Sequence, residues 1–156
     1  MSFRLSAELM ENISAEKRRE WKLALDELNE VAGDTPPTVI RLLEDQTPGL
    51  SPNGPGVANE PVALFSEPIR RALQRYRRRI VKLSRTCAGA SSILPGTLQK
   101  LDADKRDAHN AGAETLRTLL SPSMEMSHEA SRQLFSLLYL IWDPSAGHDF
   151  RMHHHP

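Results

Sequence analysis

The side chains with the clearest chemical potential are eight cations in one short segment that carries a single carboxylate, Glu67. Guanidinium groups present planar forks of donors that match carboxylate and phosphate oxygens. The segment therefore predicts a surface that binds anions. Its residues are Arg70, Arg71, Arg75, Arg77, Arg78, Arg79, Lys82 and Arg85.

The apolar residues of the same segment recur at alternating steps of four and three, which predicts an amphipathic helix over residues 67–88. At 100° per residue the cations cover the other two thirds of its circumference. The strip Arg71, Arg75, Arg78 and Lys82 is contiguous, and we expect it to matter most. The stripe expected to face the core comprises Ile69, Leu73, Tyr76, Ile80, Leu83 and Cys87.

Charge is strongly segregated along a chain whose formal net charge is zero. Residues 1–66 contain six basic and eleven acidic residues, whereas residues 67–106 contain eleven basic and three acidic ones. The last fifty residues are mildly acidic again. A neutral protein of this kind can present one strongly positive face.

Three interpretations of the basic helix remain open. The cations could form a solvated face that carboxylates of the first long helix (Glu16, Glu20, Glu27 and Glu30) partly neutralise. They could instead steer and dock an acidic protein partner, or contact the phosphate backbone of a nucleic acid. Aromatic residues are only 5% of the chain, and Tyr76 lies on the apolar side of the helix, so no base-stacking platform is expected.

We therefore predict a non-enzymatic binding protein, such as an adaptor, a regulatory subunit or an assembly component, that docks an acidic protein partner. Nucleic-acid binding through the same helix is the alternative. A small metal-dependent enzyme that uses His109 or the tail histidines is a second alternative. The tail histidines are His148, His153, His154 and His155.

Conventional catalytic motifs are absent from the sequence: we find no phosphate-binding glycine loop, no Gly-x-Ser-x-Gly and no His-Glu-x-x-His. His109 and His128 are interpreted as surface histidines, and Asp107 is two residues from His109, on a different side of a helix. The single cysteine, Cys87, excludes a disulfide framework. No cofactor and no metal ligands are predicted.

The elements expected to position these residues are helices. Ser14 and Ser127 are good N-caps, Gly33 is a good helix terminator, and Thr35-Pro36 resembles the start of a short helix carrying Val39, Leu42 and Leu43. The prolines and glycines of residues 47–61 predict a long irregular loop. The expected fold is an all-α bundle of about five helices in a single domain, residues 1–146, with that loop after the second helix and a flexible tail, residues 147–156.

No apolar run approaches the length of a membrane span or a signal-peptide core. We expect no membrane association and a cytoplasmic location, or a nuclear one in a eukaryote. The C-terminal helix, capped by Ser127, is apolar on nearly every side over residues 134–142, which is typical of a central or interfacial helix. If Leu137, Tyr139 or Ile141 were exposed, a homo-oligomer would be the natural way to cover them.

Overall fold

The computed structural model of the protein describes residues 3–11, 13–52, 60–89 and 94–143. Within these ranges the chain forms four strands and five helices. Their order is β1 (Phe3–Leu5), α1 (Ala7–Met10), α2 (Ala15–Val31), β2 (Thr38–Leu42), β3 (Pro48–Pro52), β4 (Val62–Ala63), α3 (Glu67–Gly89), α4 (Pro95–Leu120) and α5 (His128–Trp142).

The strands form one mixed sheet in the order β1-β2-β3-β4. β1 runs parallel to β2, with Phe3 opposite Thr38, and the other two pairs are antiparallel. The predicted all-α bundle is therefore wrong, because the protein has an α+β fold.

The segment predicted as a short helix after Pro36 is strand β2. Its Thr-Val-Ile run is β-branched, and such side chains lose rotamer freedom in a helix but pack well on a pleated sheet. Ile40 is fully buried, whereas the next residue, Arg41, is exposed. This alternation of buried and exposed residues is typical of a strand, and it outweighs the helix-start signal of Thr35-Pro36.

Part of the predicted Pro/Gly loop is strand β3, which pairs with β2 along its whole length. Pro48 and Pro52 occupy its first and last positions, where a missing amide proton disturbs the ladder least. Gly49 is required between them, because a Cβ atom there would lie 2.4 Å from Leu43 Cδ2. The loop prediction for residues 47–61 is wrong over β3, and residues 53–59 lie outside the described ranges.

A side-chain amide forms hydrogen bonds with the backbone at the outer edge of β1. Asn29 of α2 accepts a hydrogen bond from the Phe3 amide at 2.8 Å and donates one to the Phe3 carbonyl at 3.0 Å. The amide thus substitutes for a neighbouring strand and attaches α2 to the sheet.

The helices pack as layers around α5, which contacts both α2 and α4, while α3 packs on α4. Leu137 and Tyr139 of α5 are buried within the monomer, so the exposure that would have called for a dimer does not occur at these two positions. The predicted caps Ser14 and Ser127 are confirmed, since each side chain accepts a hydrogen bond from the backbone amide three residues later.

Candidate functional site

The cationic helix is observed as α3, a continuous helix of 23 residues. Ile69, Leu73, Ile80 and Leu83 are buried along one side, as the spacing predicts. The opposite side carries most of the cations. Those that are exposed are Arg70, Arg71, Arg75, Arg78, Lys82 and Arg85, whereas Arg77 and Arg79 are partly buried.

Two of the eight cations have carboxylate partners among the described residues. Arg71 pairs with Glu67 one turn earlier on the exposed surface. Arg77 pairs through its Nε with Asp143, the residue that caps the C-terminus of α5. Because the Asp143 side chain is only 10% exposed, this ion pair joins two helices, which makes Arg77 a structural residue rather than part of the outer face.

The other strip residues lack such partners. Across the described ranges no carboxylate oxygen lies within 4.0 Å of the charged groups of Arg75, Arg78 or Lys82. The neutralisation by α2 that the sequence left open does not take place there either, because α2 packs against α5 and α3 against α4.

A second group of functional side chains lies between α3, α4 and α5, around His109. This histidine was predicted to be on the surface, which is wrong: it is only 8% exposed. Its ring packs edge-on against Tyr76 at 5.0 Å and Phe135 at 5.4 Å between centroids. Its Nε2 shares a hydrogen bond of 2.8 Å with Ser136 Oγ.

Burial shifts the pKa values of both titratable rings in this cluster, His109 and Tyr76. It lowers the pKa of His109 to about 4, and repulsion from Arg132, Lys105 and His128 acts in the same direction. Burial also raises the pKa of Tyr76 to about 12. The imidazole is therefore neutral at pH 7 and the phenol keeps its proton.

The only sign of this cluster in the sequence is the run of small residues in the middle of α4. Gly112 follows His109 by one helical turn, and a Cβ atom on it would lie 2.3 Å from Phe135 Cζ. The glycine thus lets α5 approach α4 closely enough to cover the histidine. Glycine and alanine in the middle of α4 are the local sign of that approach, but they do not identify the partner helix.

The arrangement resembles a base beside a hydroxyl nucleophile, but it lacks a third component. Catalytic Ser–His pairs depend on a group that orients the histidine through its second nitrogen. His109 Nδ1 is buried without a hydrogen-bond partner in the described structure. Among the described residues, His109 and Ser136 therefore lack the orienting group of a catalytic triad.

The part of the chain that the structure describes contains neither a group of metal-ligating residues nor a membrane-spanning helix. No group of three His, Cys, Asp or Glu residues there could hold a metal ion. His128 is exposed, with its Nδ1 3.6 Å from Glu114 Oε2, and the tail histidines lie outside the described ranges. No helix in those ranges is both long and apolar enough to cross a bilayer.

Comparison with known proteins gives one informative similarity. The chain is 28% identical over 88 residues to a protein of Methylobacterium radiotolerans described as a UPF0262 protein. The matched region is 54% of this chain and 53% of the relative, so the chain spans about half the length of the curated relative it matches. No family model matches the chain, and no solved structure matches it.

Proposed function

We propose that the protein is a non-enzymatic binding protein that docks an acidic protein partner through the outer face of α3. The observation that carries this proposal is the cationic strip (Arg71, Arg75, Arg78 and Lys82), which is exposed along its whole length. Three of its four charges have no internal counter-ion among the described residues.

The strip is well shaped for a compact partner. Its residues are spaced by four, three and four positions, so they project from one side of a helix over about 17 Å. Arg85, also exposed, extends the same side by one more turn. The buried apolar stripe on the opposite side fixes the rotation of the helix about its axis. The exposed charges are therefore held at fixed positions. Like-signed charges arranged in this way accelerate encounter with a partner of opposite sign.

A protein partner suits this surface better than a nucleic acid. Tyr76 of α3 is packed among the inner rings, and a single ring, Trp142 of α5, lines a cavity with Arg78, whereas stacking of successive bases uses several exposed rings. The protein is also neutral overall, with acidic segments on either side of the basic one. A neutral protein attracts a long polyanion less strongly than a uniformly basic one, whereas the local charge of α3 still suits a short acidic patch.

The test is fluorescence anisotropy with three labelled probes of equal charge: a peptide of Glu and Asp residues, a single-stranded DNA and a duplex DNA. At physiological salt we expect the acidic peptide to bind more tightly than either DNA. The variant R71Q/R75Q/R78Q/K82Q should weaken peptide binding about 30-fold, since four exposed ion pairs contribute roughly 0.5 kcal/mol each. Glutamine is chosen because its helix propensity is close to that of Arg and Lys.

A control variant with the same change in net charge is R19Q/K22Q/R41Q/R117Q, whose four cations are exposed outside α3. It should bind the acidic peptide nearly as well as the original chain. Equal loss in both variants would mean that only net charge matters, and the proposal would be wrong. Tighter binding of either DNA would favour the nucleic-acid alternative instead.

A further inference from the structure

A cleft of about 320 Å³ opens between α4 and α5, with Tyr76 of α3 in its wall and none of the cationic strip residues among its lining. Its α4 wall carries Lys105, Arg106 and His109, and its α5 wall carries Arg132 and Ser136. On α4, Lys105 and Arg106 precede His109 by four and three positions, and on α5 Arg132 precedes Ser136 by four. Residues at such spacings lie on one helical face.

The charge inside the cleft is not balanced. Lys105, Arg106 and Arg132 face one carboxylate, Asp102, which leaves a surplus of two positive charges among the lining residues. Asp102 pairs with Arg106 at 2.9 Å and reaches Lys105 at 3.9 Å. The carboxylate is therefore already engaged, and it does not serve Arg132.

Arg132 is the residue that calls for a ligand. Its Nε is buried without a hydrogen-bond partner, and no carboxylate of the described residues pairs with its guanidinium. Arg132 as a whole is half-buried, and desolvating part of a cation without a counter-ion is costly, so such a group is normally paired. The nearby His109 is desolvated too, and it offers Arg132 no negative charge.

We propose that this cleft binds the phosphate group of a small phosphorylated molecule, or free phosphate, with Arg132 as its main ligand. A phosphomonoester carries close to two negative charges at neutral pH, which matches the surplus in the cleft, whereas a monocarboxylate would neutralise only half of it. The guanidinium fork of Arg132 suits two phosphate oxygens. Lys105 supplies a further charge, and the Ser136 hydroxyl supplies a hydrogen bond.

The experiment is site-resolved NMR on the full chain labelled with ¹⁵N, in phosphate-free buffer at constant ionic strength. Inorganic phosphate, glycerol 3-phosphate and acetate are titrated separately while the Arg132 Nε–H and His109 ring signals are followed. We expect both signals to shift and saturate with either phosphate compound, and acetate to bind at least about tenfold more weakly. The tighter of the two phosphate probes identifies the source of the phosphate group.

Two variants of Arg132 and one control make the assignment specific. R132Q should weaken phosphate binding by about tenfold or more, because a charge-assisted hydrogen bond is lost. R132K, which keeps the charge but loses the fork, should fall between R132Q and the original chain. R19Q, an exposed cation on α2 outside both sites, should leave the affinity of the cleft unchanged.

Three results would overturn the proposal. The first is the absence of saturating shifts at Arg132 and His109 at millimolar phosphate. The second is equal binding of acetate and phosphate, which would contradict the charge matching. The third is an equal loss of affinity in R19Q and R132Q, which would reveal diffuse attraction to a positive protein surface. Should R132Q fail to fold, the titrations of the original chain and of R132K still decide the matter.

Discussion

The outer face of α3 and the cleft between α4 and α5 both carry arginines without a carboxylate partner among the described residues, but the physical meaning differs. Arg75 and Arg78 are exposed to water, where an unpaired guanidinium is well solvated and an added ion pair contributes little. Arg132 has a buried Nε that has lost its water without gaining a hydrogen bond. An exposed cation therefore leaves its partner optional, whereas a half-buried cation whose Nε has no hydrogen bond makes a specific anion favourable.

The cluster around His109 and the exposed side of α3 should also differ in whether they affect stability or association. The cluster around His109 connects α3, α4 and α5 through ring contacts, so changes there should affect the free energy of unfolding. The exposed side of α3 makes few contacts within the described protein, so changes there should affect association and leave stability nearly unchanged. The next four predictions test this separation.

The largest expected effect is a pH dependence of stability caused by His109. The folded protein keeps this imidazole neutral down to about pH 4, whereas the unfolded chain protonates it near pH 6.5. Between these values the unfolded state binds more protons, so stability decreases as the pH falls, by roughly 3 kcal/mol in total. Burial of the imidazole is the main cause of this behaviour, and the charges of Arg132, Lys105 and His128 act in the same direction.

Urea unfolding from pH 7 to pH 4, in buffers without phosphate or citrate, measures this effect. The variant H109Q removes the titrating group, so its stability should decline less over the same range by about the same 3 kcal/mol. Identical pH profiles for the two proteins would show that His109 is not desolvated as described.

The next largest effect concerns the approach of α5 to α4. G112A places a methyl group where Phe135 Cζ would lie 2.3 Å away, so the core is overpacked, and we expect a loss of about 2 kcal/mol despite the better helix propensity of alanine. G96A is the matched control in the same helix, because nothing lies within 4 Å of its added Cβ. It should be neutral or stabilising, and chemical denaturation of both variants measures the difference.

These elements also mark how far the sequence determines the fold. Ser14, Ser127 and Gly33 predict helix ends correctly because a cap depends on residues within one turn. β2 and β3 were missed because their pairing is tertiary: the Thr35-Pro36 signal favours a helix until Ile40 is placed beside Leu50. Local patterns therefore predicted α3 and missed the sheet.

The candidate sites divide in the same way. The cations of α3 follow from one helical repeat within a single segment. The burial of His109 depends on Tyr76 from α3 and Phe135 from α5, both of them far away in the sequence. No periodicity within α4 could have indicated that these rings meet around the histidine.

A smaller effect is expected for the ion pair that joins α3 to the end of α5. R77Q leaves the mostly buried Asp143 carboxylate without this partner, and we expect a loss of about 1 kcal/mol in the free energy of unfolding. Thermal or urea unfolding at pH 7 measures it. A loss below the error of the method would show that Arg77 belongs functionally with the exposed cations rather than with the core.

The smallest effect has the opposite sign. Arg75 lies one turn from Arg71, Arg78 and Arg79 on the same helix, and like charges at such spacing destabilise a helix. R75Q should therefore stabilise the protein by up to about 0.5 kcal/mol at low salt, and the gain should disappear at high salt. Measurable destabilisation would indicate that Arg75 makes a stabilising intramolecular ion pair, as the interpretation of a face partly neutralised by carboxylates predicts.

The most direct test of the account is to map where an acidic peptide contacts the protein. Titrating a Glu/Asp peptide into ¹⁵N-labelled protein at physiological salt should shift the signals of Arg71, Arg75, Arg78 and Lys82 together, with one dissociation constant. The signals of Arg19, Lys22 and Arg117, which are exposed cations outside α3, should stay in place. Shifts spread evenly over all exposed cations, or no shifts on α3, would contradict the account.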